Sequence, residues 1–234
     1  MHFLKRKNKY SQYPDSEPEF CIEGEKKFLI SDFKGALSNF TKAIEIDSGN
    51  FDAYFYRGKA YENLGDVDKA IIDYRYALSI DKNHAAVYFR LAILLYDKKE
   101  FSDSLDSFNN AIKFNPELPN IFFHRGLTNA KLGNYEAAIT DFNIALEKNN
   151  KLVASVFNRA NAYAKLKQYQ DAIRDLNLYI ESNSNNASAF YLRGICKIAL
   201  NNTGDAEVDF EKALQLGHKE AKIALEKYCL VKSV

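Results

Sequence analysis

Four arginines of this 234-residue chain, each 34 or 68 residues from the next, stand sixteen residues before an aspartate: Arg57 and Asp73, Arg125 and Asp141, Arg159 and Asp175, Arg193 and Asp209. A guanidinium presents a flat fork of N–H donors that fits both oxygens of a carboxylate. Such a pair can be a fixed bridge between two elements of structure. The alternative is a row of arginines lining a ligand site. The pattern favours the bridge. Where Glu23 and Leu91 stand in the arginine's place, Asn39 and Ser107 stand in the aspartate's. A partly buried bidentate pair fixes register more surely than it adds stability, because desolvation offsets the attraction.

No catalytic grouping accompanies these pairs. The chain has no Gly-rich phosphate loop, no nucleophile elbow and no HExxH motif. Cys21, Cys196 and Cys229 are odd in number and lack metal-ligand spacing, so they read as free thiols of a reducing compartment. His2, His84, His124 and His218 are scattered, and the acids fall on solvated positions. The expectation is therefore no enzyme, no cofactor and no metal. Lys and Arg number 32 against 31 Asp and Glu, which argues against a dedicated polyanion binder. No apolar run approaches the ~18 residues a membrane span needs. The basic start lacks the apolar core of a signal peptide, so a cytoplasmic protein is expected.

The elements that hold the pairs repeat. Sliding the sequence against itself by 34 residues brings it into register from Glu17 onward, giving 17–50, 51–84, 85–118, 119–152, 153–186 and 187–220. Position 4 of each unit is Phe20, Tyr54, Tyr88, Phe122, Val156 or Phe190. Position 8 is small (Gly24, Gly58, Ala92, Gly126, Ala160, Gly194), and so is position 20. Position 24 is Phe40, Tyr74, Phe108, Phe142, Leu176 or Phe210, and position 27 is Ala except for Tyr179. Positions 4, 8 and 11 share one helical stripe, and 20, 24 and 27 another. Small residues let the two backbones approach while large rings fill the space around them. Gly65 and Gly133, at position 15, suit a left-handed turn between the helices. Each unit is thus a helical hairpin with an apolar face it cannot bury alone, and stacked hairpins share one core. Residues 221–234 predict one more helix, with Ala221, Ala224, Leu225 and Tyr228 on a face that caps the stack. Residues 1–16 lie outside the register and read as a flexible tail.

These residues resemble the tetratricopeptide repeat family over 17–220, best in the second unit with Tyr54, Gly58, Tyr61, Ala70, Tyr74 and Ala77. Pro116 is the one proline at the family's position 32, and Tyr179 departs from its small-residue rule. The resemblance implies an all-α, right-handed α-solenoid of six repeats with a capping helix. It also implies a concave groove lined by positions 2, 5, 9, 12 and 13. Carried over by register, that groove holds Phe55, Lys59, Phe89, Ile93, Tyr96, Phe123, Leu127, Phe157, Asn161, Tyr191 and Ile195. Its middle is apolar, and charge is commoner toward the N-terminal end, with Asp52 and Glu62. The five aromatics at position 5 either wall the groove or pack against neighbouring hairpins.

The family's carboxylate clamp needs Lys at position 5, which never occurs here, so a C-terminal carboxylate ligand is rejected. The expected function is a non-catalytic scaffold or adaptor holding an apolar-rich peptide or helix of a protein partner, with Phe89, Phe123 and Phe157 carrying most of the affinity. The alternatives are a nucleic-acid-binding solenoid, which near-neutral charge disfavours, and a regulatory subunit of a larger enzyme complex. The segment His2 to Tyr13, basic and aromatic, is a candidate occupant of the groove itself.

Overall fold

The computed structural model describes residues 17–149 and 153–229, so the tail segment and the last five residues lie outside the described residues. Thirteen helices and no strand occur among the described residues. The chain forms two compact units, 1–118 and 119–234. In the first, α1 (Glu17–Leu29) pairs with α2 (Phe33–Ile46), α3 (Phe51–Asn63) with α4 (Val67–Ile80), and α5 (Ala85–Asp97) with α6 (Phe101–Phe114). In the second, α7 (Ile121–Leu132) pairs with α8 (Tyr135–Lys148), α9 (Val153–Lys165) with α10 (Tyr169–Ser182), and α11 (Ala187–Ala199) with α12 (Thr203–Gln215). A final helix, α13 (Glu220–Tyr228), packs on α12.

The turn inside each hairpin has one geometry. Its central residue is left-handed in all six: Ser31, Gly65, Lys99, Gly133, Lys167 and Asn201, with φ from 60° to 82°. The next residue sends its N–H back five places along the chain, as Asp66 does to Tyr61 and Gln168 to Tyr163 at 2.9 Å. This closure satisfies carbonyls that the helix end leaves open. Only two of the six are glycine, so four L-residues accept a conformation that disfavours them. Asp32 then caps α2 through Gly35 N–H at 2.9 Å, and Asn50 caps α3 through Ala53 N–H at 2.8 Å.

Each hairpin closes on one ring. Phe40, Tyr74, Phe108, Phe142 and Phe210 are fully buried on the second helices. Where position 8 is glycine the ring lies directly over it: a Cβ on Gly58, Gly126 or Gly194 would come within 2.6–2.8 Å of Tyr74, Phe142 or Phe210. The fifth hairpin exchanges volumes. Leu176 is smaller than a ring, and Tyr179, at the usual alanine position, supplies one. Tyr179 packs 4.9 Å from Phe157, and its hydroxyl accepts from Asn186 Nδ2 at 2.8 Å. The irregular residue is thereby tied to the N-cap of α11 rather than forcing the hairpin open.

The four arginines lie against the four aspartates. Arg57 donates through Nε and Nη2 to Asp73 at 2.8 Å each, and Arg159 to Asp175 at 2.7 Å each. Arg193 donates likewise to Asp209 at 2.9 and 2.6 Å, and Arg125 to Asp141 at 3.0 and 2.6 Å. The aspartates are buried and the guanidiniums mostly so. A third bond ties each of three arginines to the preceding hairpin: Nη1 of Arg57 to Thr41, of Arg159 to Asn143 and of Arg193 to Asn177, at 3.2, 2.6 and 2.7 Å. In the third hairpin, which lacks this arginine, Ser104 Oγ donates to the Ala92 carbonyl at 2.8 Å and closes the two helices instead.

On the terminal helix, Ala221 and Ala224 are buried against the last hairpin. Tyr228 is 37% exposed rather than inward, and the smaller Cys229 closes the core behind the helix end. The tyrosine ring lies under Lys227 Nζ, 4.9 Å away.

Candidate functional site

Within each unit the first helices of successive hairpins meet: α1 touches α3, α7 touches α9, and α9 touches α11. One flank of these helices is sealed. On α7, Phe122, Gly126 and Asn129 are buried, and on α9, Val156, Ala160 and Ala162. The other flank, a hundred degrees round the helix, carries the position-5 aromatics and their neighbours, all partly open to solvent.

In the first unit, Phe55 is half-buried, 6.2 Å from the core ring of Tyr74 and 5.3 Å from Tyr56. Lys59, one turn on, sits in an aromatic box. Its Nζ lies 4.8 Å from the Phe28 ring, 5.0 Å from Tyr56 and 5.5 Å from Phe55. Burial, with Arg90 nearby, pulls its ammonium below the ordinary lysine range, while Glu62 and Glu25 oppose that shift. Glu62 accepts from Tyr74 Oη at 2.6 Å and from Arg90 Nη1 at 3.1 Å, joining the second hairpin to the third. Burial first, and then the Glu62 carboxylate, hold the Tyr74 phenol above its ordinary value. Phe89 meets the core ring of Phe108 edge-on at 6.0 Å, Ile93 is half-buried, and Tyr96 packs 5.4 Å from Phe101.

In the second unit, Phe123 lies 6.2 Å from Phe142, Phe157 against Tyr179, and Tyr191 5.8 Å from Phe210. Tyr191 also stacks on His218 at 4.2 Å. Leu127 and Ile195 are half-buried, and Asn161 donates to the Phe157 carbonyl at 3.1 Å. The position-5 aromatics thus do both things open to them. One part of each leans on its own hairpin's core, and the rest remains accessible.

Several participants escaped the sequence reading. Arg90 stands one place before the arginine register, which is why the repeat pattern passed over it. Phe28 and Tyr56 reach Lys59 from a neighbouring helix and a neighbouring position. The left-handed residues Ser31, Lys99, Lys167 and Asn201 carried no glycine to signal them.

Chemically the flank offers rings, aliphatic side chains and a few cations. Among the described residues no group of three His, Cys, Asp or Glu side chains could hold a metal, and no helix is long and apolar enough to cross a membrane. Cys196 is buried, and burial pushes its thiol up to about 11.

Residues 51–84, 119–150 and 157–221 match models described as tetratricopeptide repeat, and 94–133 one described as TPR repeat. Outer dynein arm-docking complex subunit 4 of Mus musculus is 33% identical over 54 residues, 23% of this chain and 9% of that protein. The chain therefore spans about a tenth of the length of that curated relative. Among solved structures, YrrB, described as a TPR protein with an unusual peptide-binding site, superposes with TM-score 0.73 at 23% identity. The likeness covers 80% of this chain and 97% of that one. PilF of Pseudomonas aeruginosa superposes with TM-score 0.66 at 19% identity, covering 89% and 97%. At these identities the likeness is one of fold.

Proposed function

Given that the chain belongs to the tetratricopeptide repeat family, we propose that it is a non-catalytic scaffold that holds apolar-rich segments of a protein partner on the open flank of its first helices. The observation that carries this reading is the row of partly accessible aromatics, Phe55 and Phe89 in one unit and Phe123, Phe157 and Tyr191 in the other. Partly accessible rings lined up on one flank make a contiguous apolar patch of the kind that interaction surfaces use. The neighbour YrrB, described by its peptide-binding site, supports the same reading. The six 34-residue repeats of 17–220 and the cap of 221–234 are proposed on the same register.

The absence of lysine at position 5 speaks against a C-terminal carboxylate as the anchor. A non-catalytic role fits a flank of rings with no convergent acid, base and nucleophile among the described residues. The test begins with recovery of the partner by co-purification of the tagged chain and mass spectrometry. Affinity for that partner is then measured with Phe55 and Phe89 changed to Ala, and separately with Phe123 and Phe157 changed to Ala. Each ring lost should weaken binding by about 1–3 kcal/mol where its unit is engaged. Unchanged affinity in both variants, with helical content intact, refutes the proposal.

A further inference from the structure

The first helices of the second unit contain no acidic residue. Helices α7, α9 and α11 carry Arg125, Lys131, Arg159, Lys165, Arg193 and Lys197, and neither Asp nor Glu. The first helices of the other unit differ, with seven acids in α1, α3 and α5 against five bases. Four of the six bases in the second unit are already matched. The arginines hold Asp141, Asp175 and Asp209 from the second helices, and Lys197 Nζ adds a contact to Asp209 at 2.7 Å. Lys131 and Lys165 remain. Both are exposed, neither makes an ion pair among the described residues, and they occupy equivalent places on the adjoining helices α7 and α9. Between and beside them lie the half-open Phe123, Leu127, Phe157, Tyr191 and Ile195.

We propose that the flank of α7, α9 and α11 takes an acidic amphipathic peptide segment of the partner, its apolar residues on the rings and aliphatics and its carboxylates on Lys131 and Lys165. This inference rests on the reading of that flank as the binding surface. Charge complementarity selects the occupant. A basic segment meets two unmatched ammoniums and no acid on these helices, and like charges facing each other across an interface repel. Single-stranded RNA would use the same cations and could stack on Phe123, Phe157 and Tyr191, but two unmatched lysines neutralise few phosphates.

The experiment uses the full chain and three labelled synthetic peptides. They share one amphipathic pattern of Leu and Phe, with every polar place filled by Glu, Gln or Lys. Fluorescence anisotropy should show the Glu peptide binding about tenfold more tightly than the Lys peptide, with the gap shrinking as salt is added. In the variant Lys131→Glu/Lys165→Glu, whose sites are exposed and leave the core untouched, the order should reverse. Equal binding of all three peptides, abolished by Phe123→Ala/Phe157→Ala, leaves the apolar surface standing and overturns the acidic preference. Failure of every peptide to bind overturns the inference. Displacement of the Glu peptide by poly(U) at lower concentration overturns it in favour of nucleic acid. Preserved binding of the Glu peptide by the charge-reversed variant overturns it as well.

Discussion

Removing one member of a buried Arg–Asp pair should hurt this fold more than its exposed counterpart would suggest. Arg57 and Asp73 are the clearest case. The carboxylate is 2% exposed and the guanidinium 17%, with two bonds of 2.8 Å and a third from the arginine to Thr41. In Arg57→Met, Asp73 keeps its charge inside the hairpin and loses both donors. Breaking a buried pair from one side costs about 3–5 kcal/mol, and partial solvent access places this one near 3. In Asp73→Leu, Arg57 retains Thr41 and some water, for a cost of about 2 kcal/mol. The double variant leaves no stranded charge and should cost about 2 kcal/mol or less, since apolar replacement of both partners is often neutral. The coupling is then about 3 kcal/mol, at the upper end for contacting residues. Urea unfolding followed by helical circular dichroism measures the cycle, and hydrogen exchange in α3 and α4 localises it. A coupling below about 0.5 kcal/mol would show the pair to be incidental.

Replacing Lys99 or Lys167 with glycine should stabilise the fold by about 0.5–1 kcal/mol each, since both hold φ near 60–65° and glycine relieves that cost despite its entropy; a lowered melting temperature would contradict this. Gly126→Ala should destabilise by about 1–3 kcal/mol, because the new Cβ meets Phe142 at 2.8 Å. Adding Phe142→Leu, the arrangement already present at Ala160 and Leu176, should recover part of the loss, and no recovery would refute the steric account. Cys196, with its thiol raised to about 11, should resist iodoacetamide at neutral pH until the protein is unfolded, because only the thiolate reacts. Mass spectrometry of native and urea-treated samples reads this directly, and equal labelling would show the site to be open.

Much of the fold is legible because the repeat states the same packing problem six times. Gly58 and Tyr74, or Gly126 and Phe142, are informative together: a ring of that size sixteen residues from a glycine implies two backbones in close approach. The co-occurrence of Arg57 with Asp73, absent together at Glu23 and Asn39, is legible for the same reason. The sequence is silent where a backbone constraint is met by an unsuited residue. Nothing about Lys99 or Lys167 announces a left-handed turn; only the register shared with Gly65 and Gly133 does. Tyr179 reads as a defect because its compensation, Leu176 within the hairpin and Asn186 across the next turn, lies in volumes and a hydroxyl bond. The box around Lys59 is hidden because Phe28 comes from another hairpin, and a 34-residue period does not say which neighbouring side chains converge. The apolar, acid-free character of α7, α9 and α11 was present in the letters but appears only once first and second helices are counted apart.

The third bond of the arginines bears on where this chain can be cut. Arg159 draws one partner, Asn143, from α8 and the other, Asp175, from α10; Arg193 spans α10 and α12 in the same way. The sequence module begins at a first helix, but the bonded module begins one helix earlier. A fragment started at Val153 would retain both bonds to Asp175 and leave Arg159 Nη1 without the Asn143 amide. A fragment started at Tyr135 would keep all three bonds, at the cost of exposing one face of α8. Dissection, grafting or insertion of extra hairpins is therefore better phased on second helices than on the boundaries the repeat suggests.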